Sequence, residues 1–103
     1  MIYSVKITPE AGDDLRSIGE YISVNLHSEW AALNQLKRLE KAIRSLDYMP
    51  ERFRLYDKEP WRSRNMRILV VDNYLVFYIV RESDKTVTVM RVMYYRRDAD
   101  RQL

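Results

Sequence analysis

The chain has 103 residues, of which 47% are apolar and 32% are charged, and its formal net charge is +3. This length suits one domain with its own core, so we predict a single domain over residues 1–103, and the apolar content excludes a disordered chain. No apolar run approaches the roughly 18 residues that span a membrane. Residues 1–6 lack the layout of a signal peptide, so we expect a cytoplasmic protein with no membrane partner.

The first half of the sequence predicts a strand followed by two helices. Residues 2–8 alternate between apolar and polar side chains, which is the period of a half-buried strand. Thr8 and Pro9 mark the start of a helix, and apolar residues follow at helical spacing. Ser28 begins a second helix, which ends before Pro50 because a residue that precedes proline avoids the helical conformation. The short connection between the two helices predicts an antiparallel hairpin.

The second half predicts a loop and three strands. Residues 51–63 show no clear period and predict a loop that carries basic side chains. Strands are predicted at 66–71, 74–80 and 86–92, joined by short turns, and the middle strand is apolar on both faces, as expected of a central strand. The element order is therefore β-α-α-β-β-β. We predict an α+β fold in which an antiparallel sheet packs on the N-terminal helical hairpin.

Positive charge is concentrated in the second half of the chain. Residues 1–51 carry six Lys/Arg against eight Asp/Glu, a net of −2, whereas residues 52–103 carry twelve against seven, a net of +5. Ten of the thirteen arginines lie in that second half, interleaved with tyrosines. A guanidinium presents a rigid fork of donors that suits phosphate or carboxylate, so this half predicts a polyanionic partner. An ordinary α+β domain with a charged outer sheet face accounts for the charge equally well.

The residue types exclude the common catalytic sites. With one histidine, His27, and no cysteine, the usual zinc and thiol sites are excluded, and two isolated glycines cannot form a phosphate-binding loop. We therefore predict no metal and no cofactor. Whether the chain is an enzyme stays open. RNA cleavage would need arginines to stabilise the scissile phosphate and a tyrosine to help move a proton, for which Tyr94 and Tyr95 beside Arg96 and Arg97 are the best candidates.

Two arginines lie inside predicted strands. Arg67 and Arg91 have apolar neighbours in the sequence, and a charge cannot be buried without a partner, so each must face solvent, a partner or a counter-ion. We predict that the residues contacting the target, or a nucleic acid, come from this set and from the segment after the last strand: Arg67, Arg91, Tyr94, Tyr95, Arg96 and Arg97. The catalytic residues, if there are any, cannot be assigned from the sequence.

Residues 73–78, 88–93 and 96–98 resemble the RelE/ParE superfamily of bacterial toxins, and they are more similar to its ParE side. The resemblance rests on the Tyr-Leu-Val-Phe-Tyr strand, on a β-branched strand that includes Arg-Val, and on Arg-Arg-Asp near the C-terminus. It covers nearly the whole chain in element order and length. It implies a growth-arresting toxin of a type II toxin–antitoxin module, held inactive by a cognate antitoxin whose extended or helical segment wraps the toxin. The net charge of +5 in the second half and the unpaired strand edges predict that this partner is acidic and binds along the sheet and the helical hairpin.

The resemblance implies two alternative targets. ParE-like members are associated with inhibition of DNA gyrase and cleave no RNA, whereas RelE-like members cut mRNA in the ribosomal A site without a metal. RelE-like sequences commonly have an arginine at the position of Leu75, while Arg67 with Arg64 or Asn65 matches the basic residues of the preceding strand. Arg64 therefore joins the candidate contacts. We favour gyrase inhibition, with a ribosome-dependent endoribonuclease as the alternative and a non-toxic nucleic-acid-binding domain as a third hypothesis.

Overall fold

The computed structural model describes residues 2–95 of the chain, and the predicted element order is confirmed. Within that range no helix is both long enough and apolar enough to cross a bilayer. Two short 3-10 turns, Ser45–Asp47 and Pro50–Arg52, follow the second helix. The regular elements are β1 (Ser4–Ile7), α1 (Pro9–Asn25), α2 (Glu29–Arg44), β2 (Met66–Val71), β3 (Tyr74–Arg81) and β4 (Thr86–Tyr94).

The four strands form one sheet in the order β1-β4-β3-β2. The pairs β2–β3 and β3–β4 are antiparallel, as predicted, whereas β1 runs parallel to β4, with Ser4 opposite Thr86 and Ile7 opposite Val89. A parallel pair needs a long crossover connection between its strands, and the helical hairpin is part of that crossover. The predicted α+β fold is confirmed, and β1 makes its sheet a mixed one.

Side chains that precede each helix cap its first turn. The hydroxyl of Thr8 accepts a hydrogen bond from the Ala11 amide at 3.0 Å and donates one to the Met90 carbonyl at 2.9 Å, so one side chain both starts α1 and ties it to β4. The hydroxyl of Ser28 accepts from the Ala31 amide at 3.0 Å. Both helix starts predicted from the sequence are therefore confirmed.

Apolar clusters cover both faces of the sheet. The larger cluster lies between the sheet and the helical hairpin and includes Leu39, Val76 and Tyr78, all fully buried. On the opposite face the segment that joins the helices to β2 covers a second cluster, whose buried members are Tyr56, Met66, Ile68, Leu75, Phe77 and Met93. Because β3 lies between the two clusters, it is apolar on both sides, as the sequence predicts.

The segment before β2 is more ordered than the loop predicted for it. Leu55 forms an isolated antiparallel bridge with Arg67 of β2. The Tyr56 amide donates to the Met66 carbonyl at 2.7 Å, and the Ile68 amide donates to the carbonyl of Arg54 at 3.0 Å. These bonds cover the outer edge of β2 and hold Tyr56 over the second cluster, where its ring meets Phe77 edge-on at 5.3 Å.

Candidate target-binding site

Arg91 forms the central contact between α1 and β4. Its Nε and Nη2 donate to the two carboxylate oxygens of Asp14 at 2.7 and 3.0 Å. The Val92 amide also donates to this carboxylate, at 2.9 Å. Since β1 pairs with β4 only as far as Val89, Asp14 covers the edge of β4 where the strand neighbour ends. Hydrogen bonding to Asp14 raises the pKa of Arg91 and keeps its guanidinium charged.

A bulge in β4 explains why the side chain of Arg91 points towards α1. The register shifts by one residue, so that Phe77 of β3 pairs with Arg91 and Tyr78 pairs with Val89, which leaves Met90 as an extra residue in β4. Such a bulge re-aims the side chains next to it. Arg91 therefore reaches Asp14 of α1, although its neighbours in the strand are apolar.

Arg67 binds backbone carbonyls at the opposite edge of the sheet. Its Nη1 donates to the carbonyl oxygens of Glu51 at 3.1 Å and of Phe53 at 2.6 Å. Tyr78 of β3 pairs with Arg67 in the sheet, and its hydroxyl donates to the Pro50 carbonyl at 2.6 Å. Burial raises the pKa of Tyr78 to about 12, although Arg67 pulls it the other way, so this phenol stays protonated at neutral pH. Both side chains fix the turn that leads towards β2.

Arg64 is exposed on the turn that precedes β2. Its guanidinium lies over the ring of Trp61, 5.3 Å from the ring centre. Arg54 and Arg62 are also exposed in this segment. Of the three predicted arginines that the structure describes, Arg64 therefore has its charged group the most open to a partner.

The two tyrosines predicted from the sequence to contact the target lie at the end of β4. Tyr94 is 40% exposed and meets Tyr74 edge-on, with ring centres 5.6 Å apart. Tyr95 is 52% exposed, and its amide donates to the Asn73 carbonyl at 2.7 Å, which fixes the chain against the β2–β3 turn. Both tyrosines lead directly into Arg96, which lies with Arg97 outside the described residues.

A pocket of about 240 Å³ lies beside these tyrosines. We call it the tyrosine pocket; its lining residues are Ser17, Ile18, Tyr21, Tyr74 and Tyr94. The wall from α1 was missed in the sequence, although Tyr21 stands outside the apolar stripe of its helix and so had no core role to explain it. Asp14 was missed as well. Its signal was a carboxylate close to the apolar stripe, where a charge requires a partner.

The predicted site residues thus fall into separate groups. Tyr94 and Tyr95 are together at one end of the sheet, and Arg91 lies on the same strand with its charge turned to Asp14. Arg67 and Arg64 lie on and before β2, away from that end. The site prediction as a whole stays a prediction, because the geometry describes contacts within the chain and not with a target.

Leu75 lies within the apolar cluster on the second face of the sheet. It is 8% exposed and packs with Phe77 and Met93 in the cluster that Tyr56 covers. The position at which RelE-like sequences commonly have an arginine is therefore part of a core in this chain.

In the described range, no three histidine, aspartate or glutamate side chains gather as metal ligands.

A model of the family described as the ParE toxin of the type II toxin–antitoxin system parDE matches residues 5–99. The chain therefore belongs to the ParE toxin family, and the resemblance seen in the sequence is confirmed. No curated protein is similar enough in sequence to be counted as a relative.

Three solved structures share the fold at low sequence identity. The chromosomal ParDE system of P. aeruginosa is 20% identical with a TM-score of 0.74, covering 90% of this chain and 96% of that one. The RelBE2 toxin–antitoxin complex of Mycobacterium tuberculosis is 20% identical with a TM-score of 0.63, covering 91% and 99%. The archaeal RelE–RelB complex of Pyrococcus horikoshii is 21% identical with a TM-score of 0.64, covering 95% and 100%. At these identities the likeness establishes the fold alone.

Proposed function

We propose that this ParE-family toxin arrests growth by binding DNA gyrase, that it cleaves no RNA, and that a cognate acidic antitoxin neutralises it. The observation that carries the proposal is the buried position of Leu75. An arginine that stabilises a scissile phosphate must reach solvent, and position 75 is enclosed by apolar side chains under Tyr56. Burying an unpaired charge there would be strongly unfavourable.

Three tyrosines of the described chain are poorly suited to proton transfer. A general base works best with a pKa near the working pH, and a tyrosine of pKa near 10 needs cations to lower it. A hydrogen bond to Glu82 raises the pKa of Tyr3, and burial raises those of Tyr74 and Tyr78. These three phenols are therefore unsuited to be the base of an RNA-cleaving site.

The proposed target surface is the end of β4 with the residues that follow it. Tyrosine and arginine, together with tryptophan, are enriched at the energetic centres of protein interfaces. Tyr94 and Tyr95 are exposed there, and Arg96 and Arg97 follow them in the sequence. Arg91 supports this surface indirectly, since its pairing with Asp14 holds β4 against α1. Arg64 belongs to a separate basic surface before β2.

An open strand edge supports the antitoxin part of the proposal. The Ser4 amide donates to the Lys85 carbonyl in the turn before β4, and the Thr8 amide donates to the Val89 carbonyl of β4. Because backbone groups alternate in direction along a strand, those of Val5 and Ile7 face away from the sheet. A groove of about 320 Å³ adjoins this edge, with apolar side chains from β1, α1 and α2 in its lining. Its charged lining residues are Arg16, Arg44 and Glu40; Arg44 pairs with Glu40, and Arg16 pairs with Asp13. An extended acidic segment with apolar side chains would pair with the edge and fill the groove. The three solved relatives come from toxin–antitoxin systems, which agrees with such a partner.

The target proposal is tested by paired substitutions at opposite ends of the sheet. The double variant Tyr95→Ala, Arg97→Ala removes proposed contacts. The control Tyr48→Ala, Arg81→Ala removes an exposed tyrosine and an exposed arginine from the other end. We expect only the first variant to lose growth arrest and inhibition of gyrase supercoiling, with thermal unfolding unchanged in both. Loss of activity in both variants, or in neither, would contradict the assignment of the surface.

The antitoxin proposal is tested at the β1 edge. Ile7 is 46% exposed in the groove, and Ile2 is 66% exposed outside its lining. We expect Ile7→Asp to weaken binding of the co-expressed acidic antitoxin by at least tenfold, because the new carboxylate repels an acidic segment. Ile2→Asp should leave the affinity nearly unchanged. Equal affinities in titration calorimetry would exclude this groove as the docking site.

A further inference from the structure

We propose that the tyrosine pocket binds a cationic side chain, an arginine or a lysine, that a partner protein presents to it. The inference deepens the proposed function, on which it rests in taking the partner at this end of the sheet to be a protein. It adds the chemical class of the group that is recognised. The rings, the charge around them and the size of the pocket support it.

The pocket brings three phenol rings together. Tyr74 and Tyr94 meet edge-on at 5.6 Å, and Tyr21 completes the wall from α1. Tyr21 is 53% exposed and Tyr94 is 40% exposed, while Tyr74 is buried behind them. The negative face of an aromatic ring attracts a cation within about 6 Å of its centre, and arginine stacks on such rings. A volume of about 240 Å³ has room for the end of one long side chain.

The helix that forms one wall is acidic in an otherwise basic protein. Over its length α1 carries four acidic residues against one arginine, a net of −3, whereas the whole chain carries +3. Asp14 is paired with Arg91, and Asp13 is paired with Arg16. Glu20 is exposed three residues after Ser17 of the pocket, and no cation of the described chain pairs with it. Residues three apart on a helix are neighbours, so Glu20 is adjacent to Ser17 on the surface of α1, although it is not itself a lining residue of the pocket.

A second carboxylate acts on the pocket from the β2–β3 turn. Burial raises the pKa of Tyr74, and the negative charge of Asp72, which itself pairs with Arg38, raises it further. No cation among residues 2–95 contributes to this shift, whereas at Tyr78 the charge of Arg67 partly offsets the rise in pKa. A carboxylate near the rings attracts a cationic side chain and repels phosphate, so a nucleotide is the poorer ligand for these rings.

The experiment uses the full-length protein with isotope-labelled tyrosine rings and follows their NMR signals. The probe is N-acetylarginine amide, and the neutral control is N-acetylcitrulline amide, which has nearly the same shape without the charge. We expect the arginine probe to shift the ring signals of Tyr21, Tyr74 and Tyr94 saturably, and the citrulline probe to leave them unchanged. Tyr21→Phe keeps an aromatic face and should bind as the wild type does. Tyr21→Leu keeps only the apolar surface and should bind about two- to fivefold more weakly.

Three results would overturn the inference. Equal shifts with the citrulline probe would indicate a merely apolar pocket. Tighter binding of thymidine monophosphate would indicate a base-stacking site. Tighter arginine binding after Arg96→Ala, Arg97→Ala would indicate that the chain's own arginines fill the pocket. Gyrase inhibition by the same preparations separates the proposals: a protein that inhibits gyrase but binds no cation refutes this inference alone, and the reverse result refutes the gyrase target alone.

Discussion

Arg91→Ala should destabilise the protein, because the guanidinium connects α1 to β4. The pair makes two charge-assisted hydrogen bonds, at 2.7 and 3.0 Å, and the side chains of Arg91 and Asp14 are only 30% and 16% exposed. Breaking a fully buried pair costs about 3–5 kcal/mol, and a surface pair contributes about 0–1 kcal/mol. For this partly buried pair we expect a loss of about 2 kcal/mol, since hydrogen bonds to charged groups contribute about 1.5–3 kcal/mol.

Asp14→Ala should be more damaging than Arg91→Ala. It also removes the acceptor of the Val92 amide at 2.9 Å, so we expect a loss of about 3 kcal/mol. The double variant should be little worse than Asp14→Ala alone, because both single changes break the same pair. Urea unfolding followed by circular dichroism measures all three free energies.

The matched control is the exposed pair between Arg38 and Asp72. It has one hydrogen bond at 2.8 Å, and the side chains are 57% and 40% exposed. Arg38→Ala should therefore cost less than about 1 kcal/mol. If Arg91→Ala cost no more than Arg38→Ala, or if the losses at Arg91 and Asp14 were simply additive, the account of Arg91 as the link between α1 and β4 would be refuted.

Two further predictions concern stability. A Cβ at Gly19 would lie 2.8 Å from Leu36 Cδ1, whereas one at Gly12 meets nothing within 4 Å. Gly12→Ala should therefore stabilise the protein by about 0.5–1 kcal/mol, whereas Gly19→Ala should stabilise it less or destabilise it. Thermal melting of both variants measures the difference, and equal stabilisation would contradict the close contact between Gly19 and Leu36. Burial raises the pKa of Tyr78 from 10.0 to about 12, so its protonated form stabilises the fold below pH 10 and this contribution is lost as the pH rises towards 12. Tyr78→Phe removes the hydrogen bond to the Pro50 carbonyl, so the free energy of unfolding at pH 7 should fall by about 1 kcal/mol. Between pH 10 and 12 the stability of this variant should depend less on pH than that of the wild type. An unchanged pH dependence would contradict the assignment of this titration to Tyr78.

The sequence predicted the helices and strands because their signals are local. Thr8 and Ser28 cap helices through bonds to amides three residues further on, and the alternation in each strand is visible in a short window. The parallel pairing of β1 with β4 joins residues about 80 positions apart, and no local pattern encodes such a register. The cover over the second face was missed for a related reason, since Tyr56 lies in a segment without a period.

The strand arginines show how far reasoning about charge can go. The cost of an unpaired buried charge predicted that Arg67 and Arg91 must meet a partner, a counter-ion or solvent. Their contacts are two backbone carbonyls for Arg67 and Asp14 for Arg91. Asp14 and Arg91 are 77 positions apart, so the sequence could require a counter-ion without identifying it. The tyrosine pocket also depends on elements that only the fold brings together.

The most direct test of the proposed function measures both candidate activities of one purified preparation. Gyrase supercoiling of relaxed plasmid and cleavage of mRNA on programmed ribosomes would be followed over the same range of toxin concentrations. With Leu75 buried in an apolar cluster, the account predicts that supercoiling is inhibited and that the mRNA stays intact. Cleaved mRNA together with undisturbed supercoiling would contradict it.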